Sequence, residues 1–126
     1  EGVHLLALLS RQSLQERVVP HTFSVIIDSG ASSHMFPDSQ VFISLSPVRG
    51  TVSLGNKNIV IDIVGGGITN LPQLGPALLV PKLSYGLISI SVLDKAGCTA
   101  VMSGGKVLIV KNGIKLLRGT MIGNLY

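Results

Sequence analysis

The sequence has a single cysteine, Cys98, which limits the metal and redox chemistry available to the chain. One thiol excludes an internal disulfide and a zinc site built on several cysteines, and it suits a reducing compartment. The three histidines, His4, His21 and His34, lack the spacing of a metal site. We therefore expect neither a metal nor a cofactor.

Aromatic residues and clustered positive charge are also scarce. The chain has no Trp, two Tyr and three Phe, and ten Lys and Arg against six Asp and Glu give a net charge of +4. Most of the basic residues are scattered or fall in the last quarter of the chain. Nucleic-acid sites usually combine a clustered basic face with stacking aromatics, so we do not expect a nucleic-acid partner.

Long apolar runs are missing as well. No run reaches the roughly 18 residues of a membrane span, and the apolar residues 3–9 lack the basic flank of a signal peptide. We expect no membrane partner and a cytoplasmic location. Charged residues are only 13% of the 126 residues and apolar ones 46%, so part of the apolar surface of this one small domain is expected in a subunit interface.

The most informative stretch is the apolar run that ends on Asp28. Residues 23–27 are rich in β-branched side chains and predict a buried strand, and Asp28-Ser29-Gly30 predicts a sharp turn at its end. Aspartyl proteases place their catalytic carboxylates at such a strand end. A plain strand-ending turn explains the tripeptide alone equally well.

A second Asp-Ser-Gly or Asp-Thr-Gly motif is absent from the chain. Aspartyl proteases use two carboxylates that share one proton, because like charges about 3 Å apart cannot both ionise. An active enzyme with one motif per chain must therefore be a homodimer.

Two motifs in the same order resemble the protease of copia-type LTR retrotransposons, a retroviral-like aspartic protease. The first is Ile27-Asp28-Ser29-Gly30-Ala31-Ser32-Ser33-His34-Met35, and the second is Val80-Pro81-Lys82-Leu83-Ser84-Tyr85-Gly86-Leu87-Ile88-Ser89. The resemblance covers residues 23 to about 103.

This resemblance implies an all-β, retropepsin-like fold: a small closed barrel or sandwich with one short C-terminal helix. It implies that Asp28 is catalytic, that Ser29, Gly30 and Ala31 support its loop, and that the enzyme cleaves a retroelement polyprotein. The second motif would support the same loop through Gly86, Leu87 and Ile88. A helix is expected to include Leu87, Ile88, Ile90, Val92 and Leu93 and to stop at Gly97.

The chain departs from the retroviral pattern at one pair of positions. Retroviral enzymes commonly have an ion pair between an acidic residue two positions after the catalytic Gly and an Arg directly after the later Gly. Ser32 and Leu87 occupy these positions here. Losing both charges together can be nearly neutral, whereas losing one would leave a buried charge unpaired at a cost of about 3–5 kcal/mol.

A hairpin is predicted over residues 51–63, where both arms alternate around a Gly-Asn turn. By the resemblance it is the flap that closes over bound peptide, with its tip at Leu54, Gly55, Asn56, Lys57 and Asn58. An ordinary meander hairpin is the alternative. The competing tip is the glycine run at residues 65–67, which we instead expect to form the next turn.

Three segments are expected along the chain. Residues 1–22 are interpreted as an N-terminal linker or leading helix; the alternative is a segment that folds over the domain or pairs at a dimer interface. Residues 23–103 are interpreted as the protease domain. Residues 104–126 are interpreted as a β-hairpin extension around Asn112-Gly113. It either lengthens the dimer sheet or forms a separate flap of β-structure.

Two alternatives concern function. His34 follows the Asp28 motif and could serve as an acid or base, but two carboxylates already supply those roles, which favours a structural histidine. The whole domain could also be an inactive, retroelement-derived dimerisation or peptide-binding module. The intact Asp28-Ser29-Gly30 argues against that reading.

Overall fold

The computed structural model describes residues 2–9, 21–28, 30–54 and 59–125. Within these ranges the chain is built mostly of β-strands. The strands are β1 (Gly2–Leu9), β2 (His21–Asp28), β3 (His34–Phe36), β4 (Phe42–Leu54), β5 (Ile59–Thr69), β6 (Ala77–Leu79), β7 (Gly86–Ser89), β8 (Thr99–Ser103), β9 (Lys106–Lys111) and β10 (Ile114–Leu125). One α-helix, α1 (Ile90–Lys95), and two short 3-10 turns, Ser39–Val41 and Pro72–Leu74, complete the fold.

The strands form one sheet in the order β4-β5-β6-β3-β7-β2-β1-β10-β9-β8. The all-β class with one short helix is therefore confirmed. Among the described residues the sheet does not close on itself, because β4 and β8 lie at opposite ends of this order. The closed barrel expected from the resemblance is not formed by these pairings.

The centre of the sheet is buried on both faces, as the uninterrupted apolar run of β2 requires. Val25 and Ile27 pack into one cluster with Phe36 and Ile88. Ile26 faces the other way, into a second cluster with Met35, Val80, Leu83 and Leu87. Because successive side chains of a strand point to opposite faces, β2, β3 and β7 each contribute to both clusters.

Residues 104–126 contribute to the same core. The hairpin of β9 and β10 turns at Asn112 and Gly113, both with positive φ, as the Asn-Gly pair predicts. Its side chains in the first cluster are Val107, Ile109, Leu116 and Leu117. The hairpin is thus packed against the central strands and does not form a separate flap.

The leading helix expected within residues 1–22 is wrong for Gly2–Leu9, which is strand β1. It pairs antiparallel with β2 on one side and with β10 on the other. Its leucine-rich composition suits either a helix or a strand, and the hydrogen bonds offered by two neighbouring strands decide between them. Residues 10–20, the rest of that segment before β2, lie outside the described residues.

The helix after the second motif is shorter than expected. Leu87 and Ile88 were expected in it but belong to β7, which pairs in parallel with residues 25–28 of β2. The helix starts only after Ser89, whose side chain accepts a hydrogen bond from the Val92 N–H, and Gly97 follows it with φ +80°. Parallel pairing buries Leu87 and Ile88 on opposite faces, which a helix could not do.

Gly86 packs where no larger residue fits. A Cβ at this position would lie 2.9 Å from Phe36 Cδ1 and 3.2 Å from Val25 Cγ1. Gly86 therefore lets β7 lie between β2 and β3.

We expect Gly86→Ala to lower the free energy of unfolding by about 1–3 kcal/mol, the usual cost of overpacking a core. Denaturant melts of both proteins measure the change. Gly50→Ala is the control, because its Cβ would meet Ile63 Cδ1 at an ordinary 3.5 Å. Equal losses in the two variants would contradict the packing role of Gly86.

Candidate active site

Asp28 is the last residue of β2, a strand in the centre of the sheet, and it is half-buried. Its carboxylate Oδ1 accepts the Gly30 N–H at 2.8 Å, and its carbonyl accepts the Ala31 N–H at 3.4 Å. A Cβ on Gly30 would lie only 3.3 Å from the same Oδ1. Glycine at position 30 thus allows the backbone to approach the carboxylate and orient it.

The residues that follow Asp28 form the Asp28 loop, defined here as residues 30–33. Gly30 and Ser32 are exposed, and Ala31 and Ser33 are half-buried. Ser29, predicted to brace this loop, lies outside the described residues. The structure therefore brings Gly30 and Ala31 to Asp28.

The second motif reaches the same place through β7. Asp28 lies opposite Ser89 in the parallel pairing, and Leu87 lies opposite both Ile26 of β2 and Met35 of β3. Leu87 and Ile88 fill the two apolar clusters on opposite faces of the sheet. Leu87 sits among apolar side chains, and Ser32 is exposed, so neither position calls for the charge found in retroviral enzymes.

His34, the first residue of β3, is completely buried, with an exposed fraction of 0%. Its Nε2 lies 2.7 Å from the Leu74 carbonyl oxygen, and its Nδ1 accepts the Ser89 N–H at 3.0 Å. A backbone N–H can only donate, so we assign the ring proton to Nε2. Both ring nitrogens are occupied, which supports the structural role over that of an acid or base.

Burial lowers the pKa of His34 below its ordinary value, and the hydrogen bond to the Leu74 carbonyl offsets only part of that effect. The protonated ring would present a second N–H to the Ser89 N–H, where an acceptor is needed.

Because His34 binds a proton more tightly in the unfolded chain than in the folded one, neutral His34 contributes its full stability above a pH of about 6.5. That contribution is lost as the pH falls from this value toward the lowered pKa of the folded state. Denaturant melts at pH 7.5 and 5.5 should therefore show a loss at the lower pH. His34→Asn should flatten that dependence, so its cost of about 1–3 kcal/mol at pH 7.5 should be smaller at pH 5.5. An unchanged dependence in His34→Asn would contradict this assignment.

The predicted flap hairpin is present and longer than expected. β4 and β5 pair from Phe42 opposite Thr69 to Leu54 opposite Ile59. The expected tip residues Gly55, Asn56, Lys57 and Asn58 lie outside the described residues, and of Leu54 only the backbone pairing is described. The connection between the arms nevertheless falls between Leu54 and Ile59.

The glycines at residues 65–67 are not a turn, and that prediction is wrong. They lie inside β5, paired with β4 on one side and with β6 on the other. A Cβ on Gly67 would overlap the Ser44 carbonyl oxygen, and one on Gly66 would crowd Val48 and Leu78. Close packing of three strands explains the glycines here.

Cys98 is poorly suited to be a nucleophile. Its Sγ–H donates to the Gln73 carbonyl oxygen at 3.3 Å. Burial raises the pKa of the thiol, and the nearby Lys111 offsets only part of that rise. The neutral thiol is not the reactive form, so Asp28 is the stronger candidate for chemistry.

The described residues contain no group of three or more His, Cys, Asp or Glu side chains that could hold a metal ion. No helix in the part of the chain that the structure describes is long and apolar enough to cross a membrane.

Sequence reasoning missed Ser89, which it quoted only as part of the second motif. Its backbone N–H bonds to His34 and its side chain caps α1. A serine directly before an apolar helical segment is a recognised N-cap signal. That signal was obscured because the helix was expected to begin before it.

The comparisons with known proteins identify the family. Residues 25–98 match the family described as Pol polyprotein, beta-barrel domain. No curated protein matches the chain. The family match spans more than half of the chain and includes Asp28, the Asp28 loop and all of β7. The chain therefore belongs to the Pol polyprotein beta-barrel domain family, a domain of retroelement Pol polyproteins.

Proposed function

We propose that the chain is one subunit of a homodimeric aspartic endopeptidase that cleaves its retroelement polyprotein. The observation that carries the proposal is the Asp28 carboxylate, which ends a buried strand and is oriented by the Gly30 N–H at 2.8 Å. Membership of a Pol polyprotein family supports the polyprotein context.

One Asp-Ser-Gly motif per chain requires two chains for a complete site. In that site the two Asp28 carboxyls share one proton. The ionised carboxylate takes a proton from water as the water oxygen attacks the peptide carbonyl carbon, and the protonated carboxyl donates to the carbonyl oxygen. When the tetrahedral intermediate collapses, the carboxyl that took the water proton donates it to the nitrogen as the C–N bond breaks, and the other carboxylate takes a proton from the gem-diol, which restores the shared proton.

The hairpin of β4 and β5 is suited to bind the substrate. Its arms are long and largely exposed, and they carry exposed apolar side chains at Ile43, Leu45 and Val64. An extended peptide would bind by main-chain hydrogen bonds, with alternate side chains in apolar pockets. In this proposal the hairpin is the flap that closes over the bound peptide.

The proposal also covers the location and the partners of the enzyme. The enzyme works in the cytoplasm, on the polyprotein or inside a virus-like particle, and its partners are a second copy and the polyprotein peptide. The proposed reaction needs no cofactor, because the Asp28 side chains carry out the proton transfers.

Mass spectrometry of peptides incubated with the purified chain tests the proposal. Discrete new termini are expected at a concentration where sedimentation shows a dimer. A dimer that binds extended peptides without cleaving them would overturn the protease and favour the inactive peptide-binding module.

A further inference from the structure

The Asp28 loop crosses the end of one strand. β7 lies between β2, to which it is parallel, and β3, to which it is antiparallel. The chain leaves β2 at Asp28 and enters β3 at His34, so residues 30–33 pass over the C-terminal end of β7. Ser89 is the residue at that end.

The Ser89 hydroxyl is fully buried and uses all of its hydrogen-bonding capacity. Its Oγ lies 2.7 Å from the Ala31 carbonyl oxygen, 3.2 Å from the Val92 N and 3.0 Å from the Ser91 Oγ. The carbonyl can only accept, so the one hydroxyl proton of Ser89 goes to Ala31. Val92 N–H and Ser91 O–H then donate to Ser89.

The backbone of Ser89 is fixed at the same time. Its N–H donates to His34 Nδ1 at 3.0 Å, and His34 is held in turn by the Leu74 carbonyl. Ser89 is therefore held against β2, the Asp28 loop and β3 together. It lies opposite Asp28 in the strand pairing, its hydroxyl donates to the Ala31 carbonyl, and its N–H donates to the His34 ring.

A helix cap alone would not require this arrangement. Capping α1 needs only an acceptor for the Val92 N–H. The bond from Ser89 to Ala31 uses the donor side of the hydroxyl and joins residues 58 apart in sequence. This bond fixes Ala31, which follows Gly30 in the chain, and the N–H of Gly30 orients the Asp28 carboxylate.

We propose that Ser89 is a positioning residue of the catalytic site: its hydroxyl holds the Ala31 carbonyl, and thereby keeps Gly30 and the Asp28 carboxylate in the orientation that cleavage requires. The proposal rests on the proposed protease function. Ser89 touches no substrate and acts only through the Asp28 loop.

The test compares Ser89→Ala with Ser89→Thr, which keeps both the donor and the acceptor. Thr69→Ala is the matched control. The Thr69 side chain, at the end of β5, is buried away from the exposed surface proposed to bind peptide, and its hydroxyl bonds only to the backbone of Leu71. Steady-state cleavage is measured at concentrations where all proteins are dimers.

We expect Ser89→Ala to lower kcat about 100-fold while KM changes less than about twofold, since a small displacement of a catalytic group costs rate more than binding. Ser89→Thr and Thr69→Ala should keep kcat within about threefold of the wild type. A kcat of Ser89→Ala equal to that of Thr69→Ala overturns the proposal. If Ser89→Ala does not fold, Ser89→Gly takes its place, because glycine is nearly as good a helix cap.

An NMR measurement separates this inference from the proposed function. In Ser89→Ala the order parameters of the Gly30 and Ala31 amides should fall from about 0.85 to below about 0.6, with no change at Ile109 in the core. Rigid amides in Ser89→Ala overturn the inference even if the wild type is active. A wild type that never cleaves, with a loop that loosens in Ser89→Ala, overturns the protease but keeps Ser89 as the anchor of the loop.

Discussion

Replacement of Asp28 by Asn should leave the chain folded and remove cleavage. The Asn side-chain oxygen can still accept the Gly30 N–H, so the hydrogen bond of 2.8 Å is retained in kind. The amide can neither take a proton from water nor share one with the opposite Asp28. We expect kcat/KM to fall by about three to four orders of magnitude, the contribution of positioned acid and base groups.

Asp38→Asn is the matched control for this variant. Asp38 Oδ1 accepts the Gln40 N–H at 2.9 Å, two residues on, as Asp28 Oδ1 accepts the Gly30 N–H. The two variants make the same chemical change in the same local geometry, and only Asp28 belongs to the candidate site. Cleavage by Asp28→Asn at the rate of Asp38→Asn would end the aspartic protease hypothesis.

Dilution should also abolish activity, because each chain supplies one carboxylate. At concentrations below the dissociation constant of the dimer, the dimer concentration varies as the square of the total. We expect the initial rate to drop about a hundredfold for each tenfold dilution in that range. Sedimentation on the same samples locates the range, and a rate proportional to the monomer concentration would show that one chain suffices.

Local sequence signals predicted much of the fold. The apolar run before Asp28, the Asn112-Gly113 turn and the alternation around residues 55–58 each gave a strand or hairpin that is present. These signals work because side-chain period and turn chemistry are properties of a few consecutive residues.

The wrong predictions concern elements whose structure depends on pairing with distant strands. The apolar residues of Gly2–Leu9 suit a helix, but this segment forms a strand because it pairs with both β2 and β10. Leu87 also suits a helix, but it lies in β7, which pairs with β2 and β3. The glycines at 65–67 are a turn signal by composition, yet they lie between β4 and β6, where side chains would collide. No single segment contains that information.

The candidate site divides in the same way. Asp28 and Gly30 were predicted from adjacent residues, because the hydrogen bond between them is local. The contacts of Ser89 with Ala31 and His34 join positions 58 and 55 residues apart. The pairing of β7 with β2 on one side and with β3 on the other brings these residues together.

Mixing subunits tests the central claim most directly. Wild-type chains and Asp28→Asn chains are combined at constant total concentration and left to exchange, and cleavage is measured as a function of the wild-type fraction. If two Asp28 carboxyls form one site, activity follows the square of that fraction and falls to about one quarter in an equal mixture. Activity that follows the fraction itself, about one half in an equal mixture, would contradict a site shared between two subunits.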